Sequence, residues 1–149
     1  MVRDFRYADV SEYLDTFSRL DSFSRRVTGF RAARLFFTDW LLFSDPTLEH
    51  LWVAHFDPLG RCIHFNQTDG DAIGVDLPIA DIVADTIACR AVGVVIAHNH
   101  PSGDARPSES DCRFTRKLGT VLDGLDCRLL DHLIFAGCDC TSFRAAGLL

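Results

Sequence analysis

A chain of 149 residues and 16.6 kDa can bury one core but is short for two ordinary domains. Hydrophobic residues make up 48% and charged residues 24%, which sets aside disorder, collagen-like repeats and a membrane-embedded chain; no apolar run reaches the roughly 18 residues of a bilayer span. The net charge of −6, from 21 acidic and 15 basic residues, argues against nucleic acid as the main partner, because phosphate neutralisation supplies most non-specific affinity.

The N-terminal stretch MVRDFRYADVSEYLD mixes both charge signs without an apolar signal core, so the expected location is the cytoplasm. Residues 10 to 43 read as helical. Tyr13, Leu14, Phe17 and Leu20 fall at helical spacing behind Ser11 as a cap, and Thr28-Gly29 marks a break. A second helix from Phe30 to Phe43 carries Leu35, Phe36, Trp40, Leu41 and Phe43, apolar enough to be largely buried, and Ser44-Asp45-Pro46 ends it. Residues 1–45 are thus expected as a helical segment packed on a domain of residues 46–149.

Leu51 to Phe56, a turn at Asp57-Pro58-Leu59-Gly60, and Arg61 to Asn66 read as a β-hairpin, with residues 67 to 76 as a loop. Pro78 to Ala91 is an amphipathic helix striped by Ile79, Ile82, Val83 and Ile87. Gly93 to Ala97 is a buried strand, His98 to Pro107 a polar loop, Glu109 to about Asp123 a helix with Phe114, Leu118, Val121 and Leu122 on one face, and Leu129 to Phe135 a final strand. The pattern is α/β in one domain, with two extra helices at the front.

Six cysteines (Cys62, Cys89, Cys112, Cys127, Cys138 and Cys140) without a secretory signal read as reduced thiols. Cys138-x-Cys140 could hold a metal, but no second pair with zinc-site spacing accompanies it. The chemistry concentrates at His98-Asn99-His100-Pro101 and the following loop to Asp111. Two histidines one residue apart at a strand end project to the same side, and neutral imidazoles ligate zinc. A third ligand has to return from elsewhere, and Pro101, Gly103 and Pro107 suit such a return. Ser108 and Asp111 also read as a helix capping box, which explains those two residues but not the histidines. Asp104 competes as a ligand on the same loop. His50, His55 and His64 lie on or beside strands and read as packed or half-exposed residues. Asp131-His132 reads either as a pair that orients a ligand histidine or as a polar strand segment.

The pattern H-x-H-P-x6-S-x2-D, from His98 to Asp111, resembles the signature of JAMM (MPN+) zinc metallopeptidases. AHNHPSGDARPSESD, LLDHLIFAG and SFRAAGLL resemble the JAB domain of RadC-like proteins, from about Glu49 to Leu149. The resemblance implies a cytidine-deaminase-like α/β fold, a mixed sheet with flanking helices. It implies Zn2+ held by His98, His100 and Asp111, Glu49 as general base for the zinc-activated water, and Ser108 as a donor to the oxyanion. The implied activity is cleavage of a peptide or isopeptide amide bond in a protein substrate. Related motifs fit less well: the longer ββα unit of an HNH nuclease, the following D-H of a metallo-β-lactamase, and the H-x-E with P-C-x-x-C of a zinc deaminase are all missing.

Longer RadC proteins carry an N-terminal helix-hairpin-helix region, whereas the first 45 or so residues here show no such glycine pattern. The two front helices are candidates to cover the sheet, form a homodimer surface or bind a partner. The competing reading is a DNA-associated accessory protein with a structural or vestigial metal site. Substrate choice is expected to lie in the loops at 66–77 and 101–107.

Overall fold

The computed structural model describes residues 26–69 and 79–149. Within them the strands are β1 (His50–Phe56), β2 (Cys62–Asp69), β3 (Gly93–Asn99), β4 (Arg128–Ala136) and β5 (Asp139–Ser142). The helices are α1 (Gly29–Leu42), α2 (Ile79–Cys89) and α3 (Glu109–Asp123). The strands form one mixed sheet in the order β2-β1-β3-β4-β5. β1 is antiparallel to both β2 and β3, β3 and β4 run parallel across the α3 crossover, and β5 returns antiparallel to β4.

Helices cover both faces of the sheet, so β1 and β3 are buried along their whole length and carry the continuous apolar runs Leu51–Ala54 and Val94–Ala97. Side chains alternate between the two faces. Trp52, Ala54, Phe56, Val95, Ala97, Leu133 and Phe135 meet Ala33, Phe36 and Phe37 of α1. Leu51, Val53, Val94, Ile96 and Leu129 meet Ile82 of α2 and Phe114, Leu118 and Leu122 of α3. Ala33, Phe36 and Phe37 follow the i, i+3, i+4 spacing of a single helical stripe. Fully burying a side chain such as Phe37 contributes about 1.5–3 kcal/mol, which makes α1 part of the core.

The β1–β2 turn forms as its composition implies. Asp57 Oδ1 accepts from the backbone N–H groups of Leu59 and Arg61, and Gly60 takes the left-handed conformation at φ +75°.

Several expectations change. α1 is not largely buried: Leu35, Leu42 and Phe43 are exposed, because the sheet accepts one stripe of the helix and leaves the other outward. β2 continues to Asp69, into residues read as loop, because the hydrogen-bonded register with β1 runs on to His50↔Asp69. β3 likewise reaches Asn99, so His98 is a strand residue. β5 was not foreseen at all. The earlier helix expected within residues 10–27, Pro78 and the span 70–77 lie outside the described residues, apart from Arg26 and Val27 at the former's end. No described helix is long and apolar enough to cross a membrane.

Candidate metal centre

The centre forms where the end of β3 meets the start of α3. His98 is almost fully buried, His100 follows directly after β3, and Asp111 lies in the first turn of α3 at 2% exposure. Their donor atoms converge. His98 Nε2 is 2.9 Å from His100 Nε2, Asp111 Oδ1 is 3.3 Å from His98 Nε2, and Asp111 Oδ2 is 3.4 Å from His100 Nε2. Tetrahedral zinc with bonds of about 2.1 Å places its ligand atoms about 3.4 Å apart, so the spacing suits that ion.

Hydrogen atoms on the histidines follow from their partners. A carbonyl oxygen can only accept, so the Thr115 hydroxyl donates to Asp111 O at 2.6 Å. Having one hydrogen, Thr115 Oγ1 then accepts from His132 Nδ1 at 2.6 Å. Burial, reinforced by the nearby His98, pushes the His132 imidazole well below its ordinary pKa, so it is neutral and its Nε2 is an acceptor. His98 Nδ1 therefore donates to His132 Nε2 at 2.8 Å, which leaves the Nε2 of neutral His98 bare. His100 Nδ1 donates to the backbone carbonyl of Asp104 at 2.7 Å, which leaves the Nε2 of neutral His100 bare as well. Two imidazole lone pairs and a carboxylate thus face one another, and that arrangement calls for a cation.

The same physics sets the charges. Burial pushes the Asp111 carboxyl up, but hydrogen bonding from His100 and His98, when a proton takes the place of an ion on their Nε2 atoms, and from Ser108 outweighs it and holds the group well below the usual carboxylate range. His100 is pushed up, chiefly by its hydrogen bond to Asp111, against the opposing effect of burial.

The capping box forms, and the same Asp111 carboxylate faces the histidines. Ser108 caps α3: its hydroxyl accepts from Asp111 N at 3.1 Å, and its own N–H donates to Asp111 Oδ2 at 2.7 Å. The Ser108 hydroxyl also donates to Asp111 Oδ2 at 2.7 Å, so the cap aims the carboxylate at the histidines. Glu49, half-buried, immediately precedes β1. The antiparallel register Leu51↔His98 continues to place position 49 opposite position 100. One donor atom each from Glu49, His98 and His100 lie within 4.8 Å of one another, so Glu49 joins the same centre.

Asp104 turns its carboxylate away from the centre, into a paired contact with Arg106 at 2.6–3.0 Å, and offers His100 its carbonyl instead. His50 bonds Asp69 and the Asp45 carbonyl, His55 lies 3.4 Å from Ile82 O, and His64 lies 3.4 Å from Asp85. The Asp131-His132 pair divides its work. His132 orients His98, whereas Asp131 accepts from Ser142 Oγ, from Arg144 N and from His132 N, fastening the C-terminal segment to β4. That segment brings Phe143 to stack on the His132 ring at 4.5 Å. All six cysteines are free thiols. Thr115 escaped the sequence reading; its only signal is a threonine one turn after Asp111 on the buried side of α3.

A single mixed α/β domain with two histidines and an aspartate gathered at a strand end and a helix start defines the class. The sequence profile of the RadC-like JAB domain matches residues 31–148, and the chain belongs to that family. Among relatives, it is similar to a UPF0758 protein of Vibrio cholerae (37% identity over 94 residues, 62% of this chain and 59% of that one). It is also similar to a UPF0758 protein of Cellvibrio japonicus (36% over 98 residues, 65% and 44%) and to one of Cupriavidus pinatubonensis (45% over 69 residues, 46% and 30%). The matched region spans less than two thirds of each of these relatives.

Proposed function

We propose that this chain is a zinc-dependent hydrolase of the JAMM type that cleaves a peptide or isopeptide amide bond. The observation that carries the reading is the convergence of His98 Nε2, His100 Nε2 and the Asp111 carboxylate, each freed and aimed by a partner of its own. These three residues would hold the ion. Bound zinc supplies a Lewis acid for the scissile carbonyl and lowers the pKa of a coordinated water to about 7. Glu49, within reach of both histidines, takes the proton from the attacking water and hands it to the leaving amine. The Ser108 hydroxyl, now bonded to Asp111, would turn to donate to the developing oxyanion. His132 and Thr115 keep His98 in the tautomer with a bare Nε2.

A DNA-associated accessory role is the alternative, and DNA binding that survives Asp111→Ala would favour it. The net charge of −6 and the complete donor set support hydrolysis instead. The test is a screen of peptide and isopeptide libraries with zinc-loaded protein. Wild type is expected to cleave a subset, and Glu49→Gln to keep its zinc while losing turnover. Undiminished turnover by Glu49→Gln removes the general-base assignment.

A further inference from the structure

Asn99, the residue between the two histidines, bonds on both sides of Glu49. Its Oδ1 accepts from the backbone N–H of His50 at 2.7 Å, and its Nδ2 donates to the backbone carbonyl of Leu48 at 2.8 Å. The Leu48 carbonyl belongs to the peptide unit entering Glu49, and the His50 N–H to the unit leaving it. Fixing both planes fixes the two soft dihedrals of Glu49 and therefore the direction of its Cα–Cβ bond. From this geometry we infer that Asn99 is the positioning residue for Glu49, holding the acid in register with the histidines.

Residue type and placement agree with that role. Of the side chains of this length, only an amide offers one acceptor and one donor together; aspartate offers acceptors alone and leucine neither. The β1–β3 pairing ends at Leu51↔His98, and the Asn99 side chain carries it one step further where the backbone ladder stops. Asn99 is 4% exposed, so these bonds form out of water. Alternation along β3 puts His98 and His100 on one face and Asn99 on the other. One tripeptide therefore supplies two ion-holding nitrogens and the strut for the acid that works beside them. A second brace lies alongside: the His50 ring bonds the Asp45 carbonyl and Asp69, which holds the same approach to β1.

The inference rests on the proposed zinc-dependent hydrolase, and its test separates the two. Paramagnetic cobalt replaces zinc in protein labelled with carbon-13 in its glutamates, and the Glu49 carboxyl signal is assigned by its disappearance in Glu49→Gln. Its relaxation enhancement by the bound ion falls steeply with distance. Wild type is expected to show strong enhancement. Asn99→Asp, which cannot donate to Leu48, and Asn99→Ser, too short to reach either backbone group, are expected to lose most of it at saturating cobalt, where the site is filled whatever the affinity of the variant. Full enhancement in both variants overturns the positioning role and leaves the hydrolase reading standing. No enhancement in wild type overturns both. Hydrogen exchange in the unaltered protein is a further check that needs no variant. The His50 amide must be protected as well as that of Leu51, and fast exchange at His50 alone overturns the inference.

Discussion

Thr115→Val keeps the size and branching of a fully buried residue and deletes one hydroxyl. That hydroxyl accepts from His132 Nδ1 and so determines which nitrogen of His98 is left bare. Without it, His132 can keep its hydrogen on Nδ1, unpaired in a buried site, at a cost of about 1–3 kcal/mol. Otherwise the hydrogen moves to Nε2, forces the His98 hydrogen onto its own Nε2, and places N–H where the ion should bind. The ion-free protein adopts the second arrangement, whereas zinc requires the first, so the difference appears as lost affinity. At 1.4 kcal/mol per factor of ten this is about ten- to a hundredfold, in line with the usual effect of residues that orient ligand histidines. The assay is competition with a chromophoric chelator near neutral pH. Thr115→Ser, which restores the hydroxyl, should recover most of the lost affinity. A folded Thr115→Val protein that binds zinc as tightly as wild type would refute the tautomer argument.

Zinc and a proton compete for His100 Nε2. The folded-state pKa of His100 lies above its ordinary value of about 6.5, so zinc affinity should rise with pH through the window above that value. Titration calorimetry in buffers of different ionisation heat should detect up to about one proton released per zinc near pH 7; a count of zero contradicts the reading. Asp111 is shifted downward, so its contribution to the stability of ion-free protein is full above about pH 4 and is lost as pH falls below it. Denaturant melts from pH 6 to pH 2 should show a larger loss in wild type than in Asp111→Ala, where the other downshifted carboxylates remain. Phe37→Ala, with the ring fully buried and edge-on to Phe36 at 5.0 Å, should cost about 3–5 kcal/mol in denaturant melts while zinc stoichiometry holds in the folded fraction.

What the sequence discloses depends on how local each signal is. β1, β3 and α3 announce themselves because burial on both faces, or a regular apolar stripe, is written into consecutive residues such as Leu51–Phe56 and Gly93–Ala97. β5 is invisible for the opposite reason. Asp-Cys-Thr-Ser at a sheet edge has no apolar alternation, and only the β4 partner and the turn at Gly137, φ +57°, make it a strand. At the centre, His98, His100 and Asp111 stand out because the motif is compact and its spacing is tied to one strand end and one helix start. The network behind them is tertiary. His132 lies 34 positions from His98, and Thr115 carries no mark of the histidine it bonds. Asn99 was in plain view inside the motif, yet its partners are backbone atoms 49 and 51 positions away, which no side-chain pattern encodes. The cap does not take Asp111 away from the centre, since one carboxylate serves the helix end and faces both imidazoles.

The most direct test is elemental analysis of purified protein after zinc loading and exhaustive dialysis. About one zinc per wild-type chain is expected, falling to near zero in Asp111→Ala, with circular dichroism showing that the variant remains folded. Wild-type protein that retains no metal, or Asp111→Ala protein that retains as much as wild type, would contradict the metal centre on which the functional reading stands.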